Sequence, residues 1–123
     1  MTAQTITLIV TAALFALMGT GSLVAPARVT AQFGIPELNR DGRNEVRAVY
    51  GGFGLAIAGA LVLAVLHPEW RAGVALTVAL AVGGMAGGRL LSAVMDRGIS
   101  RTPLFYLGLE LVGLAALLWV ALG

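Results

Sequence analysis

The sequence predicts an all-α protein: a compact bundle of four transmembrane helices with a short interfacial helix between helices 1 and 2. Three observations lead there. Hydrophobic residues make up 59% of the chain and charged residues 11%, less than half of the roughly 25% charged content of a soluble domain. The apolar residues gather into four blocks, each close to the roughly 20 residues a helix needs to cross the hydrocarbon core. A chain of 123 residues cannot hide four helices that are apolar almost all round from water. In a bilayer every backbone polar group must be satisfied internally, which selects helices over open sheet. The whole chain, 1–123, reads as a single integral membrane domain.

The first helix is expected over about 5–25. A secretory leader ending near "VAPA" is the competing reading, but no basic residue precedes the apolar run and further membrane blocks follow it. The segment is therefore expected to remain as the first span. The connector "PARVTAQFGIPELNRDG" comes next. Pro26 opens a short helix, the interfacial segment at about 27–33, and Gly34 closes it, with Pro36 preventing continuation. Val29 and Phe33 would lie on the membrane interface, with Arg28 and Gln32 toward water.

The second helix is expected over about 44–66, with Asp41 or Asn44 as its cap. His67, Pro68 and Glu69 form a tight turn into a third helix over about 71–95. His67 has no ligand partner in the sequence and reads as structural. "DRGISRTP" then leads into the last helix, about 103–122, with Thr102 and Pro103 at its start.

Charge placement gives an orientation. Arg28, Arg40 and Arg43 belong to the first connection and Arg97 and Arg101 to the third, whereas the opposite side has only Arg71. Short arginine-rich loops face the cytoplasm, so both termini are expected in the periplasm if the membrane is a bacterial inner membrane. The net charge of +2 serves this topology and gives no reason to invoke nucleic acid. The chain has no cysteine and one histidine, so neither disulfides nor a metal-ligand cluster is expected. No nucleotide-binding glycine loop or nucleophile elbow is present, and no cofactor is expected.

The residues that do not fit hydrocarbon are Glu45, Arg47, Arg89, Asp96 and Glu110, all toward the cytoplasmic ends of their helices. Arg89 precedes Asp96 by seven positions and Glu110 follows Pro103 by seven, so each lies about 10 Å inside its helix. Equal depth on two helices predicts that they share an interior. Arg47 begins a second face continued by Tyr50, Gly51 and Gly54, and Tyr106, Glu110, Gly113 and Leu117 form a third. The expected site has Arg47, Arg89 and Glu110 as inner charges, Tyr50 and Tyr106 as nearby hydroxyls, and Glu45 and Asp96 at the rim. The glycine pairs Gly83 with Gly87 and Gly84 with Gly88 are expected to let helices, or subunits, approach closely. Against this stands snorkelling, in which Arg89 or Arg47 merely extends to the headgroups. Glu110 is too short and too deep to do so, and it is expected either to staple the bundle in a salt bridge or to meet a ligand or proton.

"NEVRAVYGGFGLAIAG" at 44–59, "GGRLLSAVMDRG" at 87–98, Glu110 and the "PARVTAQFG" segment together resemble small bacterial four-helix membrane proteins of the DoxX-like kind, in an uncharacterised branch of that group. The resemblance implies a four-helix bundle whose polar face hosts a small lipophilic molecule or supports a partner.

The leading expectation is an integral membrane binding or accessory protein, taking a small amphiphilic or lipophilic ligand near the cytoplasmic leaflet. Arg47, Arg89 and Tyr50 would engage its polar end and Glu110 would fix their geometry. An enzyme would use the same residues for isomerase- or hydratase-type proton transfer, with Glu110 and Tyr106 as catalytic groups. A small proton-coupled transporter, a homo-oligomer and a structural subunit of a larger membrane complex are the other classes the residues allow.

Overall fold

The computed structural model describes residues 1–123. Its spans are four helical segments, Ala3–Val24, Arg40–Leu66, Pro68–Met95 and Arg101–Leu122. Between 22% and 28% of the most apolar window of each span is buried within the chain, so most of each surface presents apolar side chains outward. Only a bilayer satisfies such surfaces, and the molecule is a multi-pass membrane protein.

Helix α1 (Ala3–Val24) begins where the Thr2 hydroxyl accepts the Thr5 amide at 3.1 Å. The short helix α2 (Pro26–Ala31) follows with Pro26 in its first turn. Gly34, at φ +82, closes this segment: its amide donates to the Ala31 carbonyl and that of Ile35 to Thr30, a Schellman arrangement. The second span starts at Arg40 rather than near residue 44, because Asn39 is its cap: the Asn39 carboxamide oxygen accepts the Gly42 amide at 2.7 Å. Asp41 and Asn44, expected in that role, lie inside helix α3 (Arg40–Val46).

The second span is not uniform. Helix α3 passes into a wide π-type turn, Arg47–Gly52, before helix α4 (Phe53–Leu66). No periodicity in the apolar residues announces this turn. It coincides with the closest approach of α1. A Cβ on Gly19 would lie 2.8 Å from the Gly51 carbonyl oxygen and 2.8 Å from the Leu55 amide nitrogen, while one on Gly54 would lie 3.1 Å from the Gly19 backbone. Glycine packs on glycine, and the backbones meet.

A single tight turn at Pro68–Trp70 leads into helix α5 (Arg71–Met95). The His67 ring stacks on Trp70 at 4.3 Å, with its Nδ1 3.6 Å from Glu69 Oε1. Helix α6 (Arg101–Leu122) starts at Arg101, with Ser100 in the extended cap position and Pro103 inside the first turn.

The spans associate as two pairs, α1 with the second span and α5 with α6. The apolar core joining the pairs lies toward the end of the bundle that carries the chain termini. Leu8 and Ala12 of α1 meet Leu61 and Ala64 of α4, Ala75, Val78, Ala79 and Val82 of α5, and Leu117 and Val120 of α6. At the connector end this cluster stops, and polar groups occupy the interior.

Candidate functional site

Arg89 and Glu110 meet across α5 and α6. Arg89 Nε donates to Glu110 Oε1 at 2.7 Å, and the Glu110 side chain is 8% exposed against 24% for Arg89. The protein thus contains a buried intramembrane salt bridge: equal depths predict a shared interior, and the packing of α5 on α6 makes these two side chains partners. Coulomb attraction at this separation in a weakly polar surrounding works against the cost of removing both charges from water, a cost repaid in full only when the remaining donors are bonded as well.

The pair is held in a specific way. Only the Nε–H of the guanidinium is bonded within the chain; the terminal amino groups have no acceptor there. The guanidinium carbon lies 5.9 Å from the Phe33 ring centroid and 5.5 Å from that of Tyr106, and both rings attract the cation through their π faces. Those rings are themselves 5.5 Å apart. The Tyr106 hydroxyl donates to Gln32 Oε1 at 2.8 Å. The segment after α2 therefore folds across onto α6 and covers the salt bridge. Gln32 and Phe33, expected to divide between water and interface, instead form one side of the site.

On its other side Arg89 lines an open cleft of about 550 Å³ at the connector end. Tyr50, from the π-type turn, faces Met85 and Ser92 of α5 and Asp96 at its C-terminal cap across it, and Gly98 to Ser100 close its outer end. Tyr50 is 46% exposed and Met85 38% exposed, so the cleft opens sideways as well as outward. Glu110 does not line it.

The remaining expected residues fall in different places. Arg47 does not join the pair: its side chain is exposed, and its Nε donates to the Leu23 carbonyl at 3.1 Å, satisfying one of the carbonyls left free at the end of α1. Glu45 is exposed on α3 and makes no ion pair. Asp96 lies at the rim of the cleft, also exposed and without an ion-pair partner. Gly88 borders the cleft. A Cβ placed on Gly84, Gly87 or Gly88 would meet nothing within 4 Å, and among these pairs only Gly83 packs, against Leu114 at 3.2 Å. The close helix contact belongs to Gly19, Gly51 and Gly54 instead.

A family model described as a domain of unknown function, DUF4345, matches residues 3–121. The chain belongs to this family. The matched region takes in the first three spans and all but the last residue of the fourth, so the salt bridge and the cleft lie within the family's domain. No curated protein and no solved structure matches the chain.

Sequence reasoning did not single out Phe33 and Gln32 as parts of the site. Their one signal is an amide beside the one aromatic residue of the connector. That signal carries no direction, and the fold of the connector supplies it.

Proposed function

We propose that this is an integral membrane binding or accessory protein of the DoxX-like kind, which holds a small amphiphilic or lipophilic ligand with its polar end at Arg89. The observation that carries this reading is the half-used guanidinium. Glu110 takes the Nε–H and fixes the plane of the group, while the terminal amino groups of a residue lining the cleft have no acceptor in the chain. An arginine that only stapled the bundle would gain most from a bidentate pair with its carboxylate. Here half of that geometry is left for an incoming oxygen.

In this reading Arg89 binds the polar end and Glu110 positions Arg89. Tyr50 supplies a hydroxyl from the opposite wall, and Tyr106 with Phe33 holds the cation from behind. Asp96 sets the rim. Glu110 stands outside the cleft, which favours binding over a proton transfer performed by that carboxylate. The arginine-rich connections orient the molecule with both termini in the periplasm and the cleft at the cytoplasmic leaflet of a bacterial inner membrane.

The test is to purify the protein in a polymer that retains native lipid and to identify small molecules by mass spectrometry after extraction. Wild type is expected to carry an amphiphile that falls about ten-fold or more in Arg89→Ala, as loss of a charge-assisted hydrogen bond requires. An identical small-molecule profile in wild type and Arg89→Ala would sink the reading.

A further inference from the structure

The cleft wall on α5 has an order of chemistry along the membrane normal. Met85, Arg89, Ser92 and Asp96 all line the cleft, and their spacings of four, three and four residues keep them on one helical stripe. From the bilayer interior outward the stripe is apolar, cationic, hydroxylic and anionic. A phospholipid lying parallel to it, with its chains toward the interior, presents chains, then phosphate, then whatever its headgroup adds.

We propose that the ligand of this site is a phospholipid whose phosphate meets Arg89 and whose outer group is a primary ammonium that meets Asp96. The inference rests on the binding reading above and names the ligand class of the same site. Arg89 still has donors unbonded within the chain, as a phosphate oxygen needs. Asp96 is unpaired in the chain, as an ammonium group needs. The seven-residue rise between them is about 10 Å. A phosphate and an ammonium joined by two carbons span that distance once a hydrogen bond of about 3 Å is added at each end.

The same stripe discriminates. A headgroup that is only anionic would place no cation opposite Asp96 and would meet its charge without compensation. A quaternary ammonium has no N–H to give Asp96. A fatty acid ends at Arg89 and leaves Asp96 unused. Tyr50, across the cleft, offers a hydroxyl donor to the phosphate and so adds affinity without changing this preference.

The experiment is native mass spectrometry of the intact protein exposed to equimolar phosphatidylethanolamine, phosphatidylglycerol and phosphatidylcholine. Phosphatidylethanolamine is expected to be retained over phosphatidylglycerol by about three- to five-fold, the scale of one exposed ion pair. Asp96→Asn, at an exposed helix end, is expected to abolish that preference by bringing retention of phosphatidylethanolamine down to that of phosphatidylglycerol. Arg89→Ala is expected to lose all three lipids. Water-soluble phosphoethanolamine, which has the charges without the chains, is expected to displace the bound lipid poorly. Equal or greater retention of phosphatidylglycerol by wild type, or an unchanged preference in Asp96→Asn, overturns the headgroup assignment and leaves the binding reading intact. Ready displacement by phosphoethanolamine moves the assignment from a lipid to a soluble ligand and overturns it too. Retention of no phospholipid by wild type overturns this assignment, and the binding reading falls separately if extraction of the protein from native membrane also yields no amphiphile.

Discussion

Arg89 and Glu110, 21 residues apart in sequence, share a single 2.7 Å hydrogen bond between α5 and α6. Removing Arg89 leaves the Glu110 charge buried alone, which costs about 3–5 kcal/mol in comparable buried pairs, whereas removing Glu110 leaves a half-buried guanidinium at the open cleft and costs less. Removing both costs far less, because a pair of leucines fills the space without a charge to desolvate. Both Arg89→Leu and Glu110→Leu are therefore expected to lower the unfolding midpoint in mild detergent, Arg89→Leu the more. The double variant is expected to recover most of the loss, which a double-mutant cycle reads directly. Additive losses in the cycle would show that the two side chains do not depend on each other.

The connector is latched to α6 through Tyr106. Tyr106 donates its hydroxyl to Gln32 at 2.8 Å while its ring packs on Phe33 at 5.5 Å. Tyr106→Phe removes the hydrogen bond, worth about 1 kcal/mol, and keeps the aromatic packing. Hydrogen exchange across 26–34 is expected to quicken about five-fold in Tyr106→Phe, with α6 itself unchanged. Phe33→Ala is expected to quicken it further and to expose more of Arg89. Unaltered exchange in both variants would mean that the connector is held by something other than α6.

Much of this fold is legible in the sequence because the bilayer reduces the problem to block length and charge. Four apolar blocks and the Pro26 and Gly34 punctuation specify the spans and the short helix. The equal depth of Arg89 and Glu110 gives a shared interior, since rise per residue is nearly constant in a helix, while their direct pairing comes from the packing of α5 on α6. Arg47 was less legible. A basic residue near a helix end serves an interior pair or a neighbouring helix's free carbonyl equally well, and only the packing of α1 decides for Leu23. The π-type turn at Arg47–Gly52 leaves no mark on apolar periodicity, because its residues carry no regular polar face. Glycine pairs such as Gly84 and Gly88 have the spacing of a contact, but spacing does not say whether a partner faces it.

Arg97 adopts φ +55, the only non-glycine residue in the left-handed region. It closes α5: the Gly98 amide reaches the Ala93 carbonyl at 2.9 Å and the Arg97 amide reaches that of Val94 at 3.4 Å. This is the Schellman geometry in which glycine usually holds the left-handed position, yet the glycine stands one residue later. A side chain there costs about 1 kcal/mol. Arg97→Gly is expected to raise thermal stability by about that amount, with Arg28, Arg40, Arg43 and Arg101 preserving the orientation. A stability loss in this variant would indicate that the Arg97 side chain makes a contact in the membrane that outweighs its strain.

The glycines divide into two groups with opposite expectations. At Gly19 an added methyl would lie 2.8 Å from backbone atoms of Gly51 and Leu55, and backbone cannot swing aside as a side-chain tip does. The α1 helix and the second span would have to separate, losing the packing that holds membrane helices together in place of water exclusion. Gly19→Ala is expected to destabilise by about 1–3 kcal/mol, the usual range for overpacking. Gly84→Ala and Gly88→Ala meet open space within the chain and gain helix propensity of up to about 1 kcal/mol, so the isolated chain is expected to keep or improve its stability. The comparison is informative when made at two protein concentrations in lipid. Loss of stability or of a dimer band in Gly84→Ala at high concentration alone would place a second copy against this face of α5. Indifference at both concentrations would leave the face to lipid.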